Sequence, residues 1–278
     1  MAGQIEANGN GKILLTTALL TVALMTDAAP GGRDFGRTVP DVPGVSGEEA
    51  RELLEEFRKS RGGMDSILEA ELVHFPRRGD SVERDLWIRA SWSSGNLLTR
   101  VDLRGAEGLP TRRFLLEGGR DPKGWKWNTD RQEAVALEGA SLLQPLVPGM
   151  EMTPFDLTAP YLDWPDAVYE GSERVSGSPA HWYRFGPPDD WKSRLSASGI
   201  HAVRVALDTR FSAPIRAEYL DEKGAVIRSV EARSFQKFSN TWIVRRLEAF
   251  DEESRDRTEL RVEEALVELR LPPVVFQP

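Results

Sequence analysis

Cysteine is absent from the 278-residue sequence, and histidine is scarce. Without cysteine, the chain cannot form a disulfide framework, a thiolate metal site or a thiol nucleophile. The three histidines, His74, His181 and His201, lie far apart and lack the spacing typical of metal ligands. We therefore expect no metal site.

Blocks of basic residues are also missing. The chain has 36 Lys and Arg against 44 Asp and Glu, a formal net charge of −8, and the two signs are mixed along its length. A nucleic-acid binder needs a basic stripe or patch to neutralise phosphates, and this sequence has none. Nucleic acid is therefore not expected as a partner, and electrostatic docking to a membrane surface is disfavoured for the same reason.

Motifs of catalysis and nucleotide binding are lacking as well. Gly118-Gly119 is not followed by the helix start and the Lys-Ser/Thr pair of a phosphate loop. The serines at positions 91, 93 and 94 lack the Gly-x-Ser-x-Gly context of a nucleophile elbow. The acidic groups Asp189-Asp190 and 251–253 are interpreted as solvated loops rather than as general acids or bases. The sequence predicts a protein that is not an enzyme and carries no cofactor.

One apolar run stands near the amino terminus. Lys12 precedes the run Ile13–Met25, and the small residues around Ala28 suit a signal peptidase. We interpret 1–28 as a signal peptide and the Pro- and Gly-rich stretch 29–45 as a linker; a buried helix is the alternative interpretation of the run. The run is too short to span a bilayer comfortably, so no stable transmembrane span is expected after cleavage. The expected location is the periplasm or cell envelope.

A single amphipathic helix is predicted over 47–60. Ser46 and Glu49 have the spacing of a capping box, and Gly62-Gly63 ends the pattern. Apolar residues recur at i, i+3, i+4 and i+7 from Ala50 to Phe57, which gives one buried face. The opposite face, which includes Arg58, is predicted to be solvated.

Along most of the remaining chain, apolar and polar residues alternate with the period of two that is typical of β-strands. Residues 86–92 and 97–103 read as a hairpin, and further strands are predicted at 67–75, 112–117, 124–128, 167–171, 181–185, 201–208, 214–220, 225–231, 241–249 and 257–267. Short turns between strands indicate one antiparallel sheet rather than βαβ units. A barrel, a sandwich or a helix-covered sheet could hide its apolar face. Helical segments at 47–60, near 133–146 and from Thr153 favour a mainly β (α+β) fold, a curved sheet covered by helices.

The central stretch PGMEMTPFDLTAPYLDW, residues 148–164, interrupts the strands. Thr153 suits an N-cap and Pro154 the first helical turn, while Pro160 ends or kinks the helix. The stretch then delivers Tyr161 and Trp164 as part of an apolar cluster. Two interpretations remain open: a plug that completes the core, or a lid or wall of an apolar cavity.

These features resemble a known family, the outer membrane lipoprotein-sorting proteins of the LolA-like superfamily. The likeness rests on the export signal, the leading helix, the long sheet and the Pro-Gly-x-x-Met-Thr-x-x-Asp-Leu pattern of 148–157, followed by an aromatic residue and Trp. Phe155 stands at the aromatic position of that pattern, and 219–224 is similar to a late hairpin of the family. This chain looks like an extended branch, because the typical carriers are shorter.

The resemblance implies a fold and a site. It implies that 46–278 forms a LolA-like lipid- or lipoprotein-binding domain, a half-barrel whose concave face is covered by helices. The partner would be a lipid or an acylated lipoprotein held in an apolar cavity. The expected cavity or lid residues are aromatic or aliphatic: Trp87, Trp92, Phe114, Trp125, Trp127, Phe155, Leu157, Tyr161 and Trp164.

Two further expectations accompany this resemblance. LolA-like carriers are held closed by an inward arginine bonded to the lid backbone, so Arg89 or Arg100 is a candidate latch, with an outward, solvated arginine as the alternative. The alternative function is an envelope sensor or protein-interaction module on the same half-barrel, with an envelope protein as partner. An exposed apolar patch would favour that alternative.

Overall fold

The computed structural model describes residues 42, 44–63, 65–92, 95–128 and 133–277. The predicted signal peptide and most of the predicted linker lie outside the described residues, so both stay predictions. Among the helices of the described ranges, none is long and apolar enough to cross a membrane.

Helix α1 (Gly47–Ser60) leads into the sheet and confirms the predicted helix. The Ser46 hydroxyl accepts a hydrogen bond from the Glu49 backbone N–H at 3.1 Å, which satisfies one of the free donors of the first turn. Ala50, Leu54 and Phe57 form its buried face. The helix therefore lies on the sheet through the stripe that its sequence defines.

The first half of the sheet is a meander of six strands, each antiparallel to the one before. They are β1 (Asp65–Phe75), β2 (Val82–Ser91), β3 (Leu98–Arg104), β4 (Pro110–Glu117), β5 (Lys123–Asn128) and β6 (Val135–Leu137). The predicted hairpin is confirmed as β2 and β3.

The segment 133–146 is not the predicted helix. It contains β6 and a short 3-10 helix, Gly139–Leu143. Gly139 adopts a positive φ of 54°, a conformation that a continuous α-helix does not contain. Most leucines of this segment are therefore divided between a short strand and a single 3-10 turn.

The second half of the sheet runs from the opposite edge back to the centre. Its strands are β7 (Ala167–Val175), β8 (Ser178–Phe185), β9 (Ala202–Asp208), β10 (Ala213–Leu220), β11 (Val226–Phe238), β12 (Thr241–Asp251) and β13 (Arg257–Leu269). A 3-10 helix, Pro273–Phe276, follows β13.

Helix α3, which begins at Asp189 and ends at Ser196, joins β8 to β9 where a solvated loop was expected. Asp189 and Asp190 occupy its first turn, where negative charge is favourable for the helix dipole. Trp191 and Leu195, four residues apart, are fully buried. The expectation of a loop was wrong because this one-turn apolar spacing anchors the segment.

The order of the strands determines where the middle of the chain must run. The thirteen strands of the described residues form one sheet, in the order β6-β5-β4-β3-β2-β1-β13-β12-β11-β10-β9-β8-β7. Because β6 and β7 are the two opposite edges, the connection between them crosses the whole width of the sheet. The predicted fold class, a curved antiparallel sheet with a few covering helices, is confirmed.

The two faces of the sheet differ. The inner face packs against α1, α3 and the crossing connection, and together they enclose the main apolar core. On β2, Leu86 and Ile88 point into this core, so Trp87 and Arg89 point to the opposite, outer face. The outer face carries ion pairs such as Arg233 with Glu248.

Candidate functional site

The candidate site is the central segment, Thr153–Trp164, where the crossing connection lies on the inner face. It consists of α2 (Pro154–Thr158) and the 3-10 helix Pro160–Asp163. The Thr153 hydroxyl accepts from the Asp156 backbone N–H, and the Asp156 carboxylate accepts from the Thr153 backbone N–H at 2.8 Å, which completes a capping box. Ala159, with φ 42°, makes the bend between the two helices.

An aromatic cluster fills the space below the central segment. The ring centroid of Phe155 lies 5.5 Å from that of Trp191, 5.9 Å from that of Tyr161, 6.1 Å from that of Tyr219 and 6.3 Å from that of Trp164. All five side chains are completely buried. Tilted packing at these separations is favourable for aromatic rings. The central segment thus contributes its largest side chains to the interior of the half-barrel.

The start of the central segment is held by a buried ion pair. Arg228 on β11 places Nη1 2.7 Å from Asp156 Oδ1 and Nη2 2.5 Å from Asp156 Oδ2, a bidentate geometry. The same guanidinium donates to the Glu151 carbonyl, and the Tyr219 hydroxyl donates to Asp156 Oδ1 at 2.6 Å. The Asp156 carboxylate is fully buried, so this pair ties the segment to the sheet.

The pKa shifts of Asp156 and Arg228 both favour the ionised form of this pair. Burial alone would raise the pKa of the Asp156 carboxyl, but Arg228 and the hydrogen bonds from Tyr219 and Thr153 hold it below its ordinary value. The negative charge of Asp156 in turn raises the pKa of Arg228, against the effect of burial. Burial raises the pKa of Tyr219 well above its ordinary value, so its hydroxyl remains a donor.

The end of the central segment is held by α1. Arg58 donates from Nε to the Leu162 carbonyl at 2.9 Å and from Nη2 to the Trp164 carbonyl at 2.5 Å. Arg61, just after α1, forms an ion pair with Asp163. The interpretation of Arg58 as a solvated residue was wrong: its side chain is 17% exposed, and its guanidinium lies over the Phe185 ring, 5.9 Å from the ring centroid.

A cleft of about 640 Å³ opens beside the Arg228–Asp156 pair. Arg228 and Thr153 form part of its wall, and acidic side chains such as Glu151 and Asp251 form another part. Burial raises the pKa of Glu151 against the effect of Arg228, and neighbouring acids such as Asp251 add to the rise. The arginine of the Arg228–Asp156 pair, called the latch below, therefore forms part of the wall of the cleft, while Asp156 is buried behind it.

The predicted cavity residues fall into three groups. Phe114, Phe155, Leu157, Tyr161 and Trp164 share the inner core. Trp92 lies at the end of β2 and lines a smaller pocket. Three tryptophans, Trp87, Trp125 and Trp127, belong to the outer face. They pair across the sheet with Asp102, Leu115 and Arg113, which alternate along β3 and β4 with the inward-facing residues Val101, Leu103, Phe114 and Leu116.

The outer position of these three tryptophans is a correction to the expected cavity lining. A Cβ at Gly124 on β5 would meet the inward-facing Leu142 and Leu116, so position 124 faces inward and the alternation of the strand turns Trp125 and Trp127 outward. Side-chain size alone suggested a cavity position, whereas strand parity decides it.

The two expected latch arginines also lie on the outer face. Arg89 donates to Asp102 Oδ2 at 2.6 Å, and Arg100 donates to the same oxygen at 2.9 Å. Asp102 is buried at 1% exposure, and Arg113 also binds it. The expected latch is therefore corrected: Arg89 and Arg100 neutralise a buried carboxylate, while Arg228, Arg58 and Arg61 hold the central segment.

Comparison with solved structures identifies the fold. The fold matches a putative outer membrane lipoprotein-sorting protein domain from Vibrio parahaemolyticus with a TM-score of 0.71 and 17% identity, over 83% of this chain and 97% of the other. It matches a DUF1329 family protein from Desulfovibrio piger with a TM-score of 0.70 and 14% identity, over 83% and 97%. A LolA superfamily protein from Nitrosomonas europaea matches with a TM-score of 0.61 and 14% identity, over 82% and 97%. The fold is therefore LolA-like, as the sequence resemblance implied.

The sequence itself identifies a narrower group. Residues 112–278 match the model of a family described as "Uncharacterized protein", and the chain belongs to that family. No curated protein matches the chain. The matched range contains the whole central segment and the β11 strand that carries Arg228.

Proposed function

We propose that this protein binds an acyl chain of a lipid or an acylated lipoprotein and acts as a carrier in the cell envelope. The observation that carries the proposal is the central segment: it crosses the inner face between two sheet edges and fills the interior with aromatic side chains. It is fixed by arginines from α1 and β11. The likeness to lipoprotein-sorting domains supports the same class of function.

Opening of the central segment would create an acyl site. Displacing Phe155, Tyr161 and Trp164 would leave a space lined by apolar residues of the inner face, Phe114 among them. An acyl chain entering that space gains about 0.8 kcal/mol for each buried CH₂. The ligand would thus replace the apolar contacts that the segment gives up.

The latch suits reversible opening. A buried ion pair loses hydration when it forms, so its net contribution to the closed state is small compared with its Coulomb attraction. When the central segment moves away, Arg228 and Asp156 regain water, which limits the cost of opening. The pair fixes the closed position without making it permanent.

The proposal includes export. A cleaved leader at 1–28 would deliver residues 46–278 to the periplasm as an acyl-binding domain, and N-terminal sequencing of protein purified from a cell envelope tests the cleavage.

Lipid analysis tests the carrier function. Protein purified from a cell envelope is examined by native mass spectrometry, and its bound lipids are then extracted under denaturing conditions. We expect an acyl species, and we expect a fluorescent fatty acid to compete with it. Phe114→Ala, which removes part of the apolar lining, should weaken probe binding in a protein that stays folded, while Val168→Ala, at an exposed position on β7, should not. A folded protein that yields no lipid and binds no probe would contradict the proposal.

A second candidate, a protein-interaction module for an envelope partner, is favoured by the outer face. Trp87 lies between Arg89 and Arg104, and Arg113 stacks on Trp127 at 5.2 Å from the ring centroid. Half-buried tryptophan and arginine are enriched at the energetic centres of protein interfaces. Loss of an envelope partner in Trp127→Glu, with acyl-probe binding unchanged, would support this candidate.

A further inference from the structure

A small polar pocket lies at the end of the central segment, away from the Arg228 latch. It has a volume of about 210 Å³. Arg61, just after α1, forms one wall, and Trp92 and Leu97 at the turn between β2 and β3 form another. Gly119 and Arg120 contribute from the turn between β4 and β5, and Thr158 and Asp163 from the central segment.

The side chains that line this pocket include two buried N–H donors with no acceptor among the residues that the structure describes. They are Nε of Arg61 and Nε1 of Trp92. Buried N–H groups are almost always paired, and leaving one unpaired costs the full desolvation of that group. Both groups can only donate hydrogen bonds, so the ligand that satisfies them must be an acceptor.

The charge of the pocket favours an anion. Arg61 and Arg120 line it together with a single carboxylate, Asp163, and the exposed Arg120 lies at the rim. Burial, followed by the neighbouring Arg58, lowers the pKa of Arg61 to about 10. Arg61 is therefore charged at neutral pH, and Asp163 is the one carboxylate among the lining residues that pairs with it.

Size argues against a single water molecule as the occupant. A single water needs only about 10–15 Å³ of cavity volume, far less than this pocket offers. A tetrahedral oxyanion offers acceptors in several directions and suits the planar fork of a guanidinium.

We propose that this pocket, formed by Arg61, Trp92, Arg120 and the end of the central segment, binds a phosphate group. Its source is either the phosphate of a lipid headgroup or free inorganic phosphate. The anion would accept hydrogen bonds from Arg61 Nε and Trp92 Nε1 and would compete with Asp163 for Arg61. Binding of phosphate by this pocket does not require an acyl site. Only the assignment of the phosphate to a lipid headgroup rests on the proposed function.

The test uses the indole N–H signals of the full chain labelled with ¹⁵N-tryptophan, titrated with inorganic phosphate at constant ionic strength. We expect a saturable shift of the Trp92 signal, assigned by its loss in Trp92→Phe. Trp87 is the matched control, because its Nε1 is also buried and unpaired but lies on the outer face. A Trp92 signal that does not move, or that moves only together with Trp87, would overturn the proposal.

Two conservative variants check the donors by titration calorimetry. Trp92→Phe removes one N–H and keeps the apolar ring, and Arg61→Lys keeps the charge that faces Asp163 but removes the fork. Each should raise the dissociation constant for phosphate roughly tenfold or more, the effect of losing a hydrogen bond to a charged group. Unchanged affinity in both folded variants would also overturn the proposal.

The source of the phosphate is decided by comparing glycerol phosphate with a short-chain phosphatidic acid. Tighter binding of the lipid, together with acyl-probe displacement, assigns the pocket to a lipid headgroup. Equal affinities assign it to a free phosphate. Because the inorganic phosphate titration needs no acyl binding, a failure of the acyl proposal and a failure of this pocket give different results.

Discussion

The guanidinium of Arg228 binds the carboxylate of Asp156 in a bidentate arrangement, with Nη1 2.7 Å from Oδ1 and Nη2 2.5 Å from Oδ2. One residue belongs to the sheet and the other to the first turn of α2, so this contact joins a rigid element to the segment that crosses it. Because Asp156 is fully buried, its charge depends on Arg228 for compensation.

We expect Arg228→Gln to destabilise the protein by about 3 kcal/mol, since removing one partner leaves a buried charge uncompensated. Arg233→Gln on the same strand is the matched control. Arg233 is 41% exposed, and its partners Glu231 and Glu248 each keep a second arginine, so its loss should cost clearly less than the loss of Arg228. Urea unfolding measures both values, and equal losses would contradict the role of Arg228.

The same pair predicts a pH dependence. Because the folded pKa of Asp156 lies below its ordinary value of 3.8, its contribution to stability is complete above that value and is lost as the pH falls through the folded pKa. The free energy of unfolding should therefore fall more steeply in wild type than in Asp156→Asn below about pH 4. Denaturant unfolding at several acidic pH values measures the difference. Parallel curves would show that Asp156 is not the titrating group.

Phe155 should be among the most costly residues to truncate. It packs against four other rings and is fully buried, so Phe155→Ala removes apolar contacts and leaves a cavity, a loss of about 3–5 kcal/mol. Phe75 is the matched control: it is half-buried at the end of β1, beneath Arg257 and Arg261. Phe75→Ala should cost clearly less in the same thermal or urea unfolding experiment, and a reversed order would contradict the central position of Phe155.

Sequence patterns predicted the elements well and the contacts between distant elements poorly. The N-cap at Ser46 and the strand alternation of 86–103 depend on local geometry, so both were predicted correctly. The course of the central segment follows from the strand order, in which β6 and β7 are opposite edges. No local sequence pattern predicts that order of the strands.

The buried position of Arg228 can be predicted from the alternation of residues along β11. Arg228 shares strand parity with Val230 and Ala232, both in the inner core, so a charge on the apolar face of β11 predicts a buried partner. Arg89 instead shares its face with Trp87, and the buried carboxylate that compensates it, Asp102, lies on the next strand. Strand parity therefore separates arginines that point into the core, such as Arg228, from arginines on the outer face, such as Arg89. The partner of each arginine depends on tertiary packing.

Arg58 provides the last prediction, on the motion of the central segment. One guanidinium bonds to two carbonyls, those of Leu162 and Trp164, and the ammonium of lysine cannot reproduce this planar geometry. In Arg58→Lys, amide exchange should therefore become faster in the central segment, by roughly tenfold for each hydrogen bond of about 1.4 kcal/mol that is lost.

Arg51→Lys is the control, because Arg51 is an exposed residue of the same helix. Hydrogen exchange followed by mass spectrometry compares the two variants, with the peptides of α1 as an internal reference. If the central segment is the lid of an acyl site, Arg58→Lys should also bind a fluorescent fatty acid faster than Arg51→Lys does. Faster exchange without faster binding would make the segment a mobile plug of the core, since opening would then lead to no ligand site.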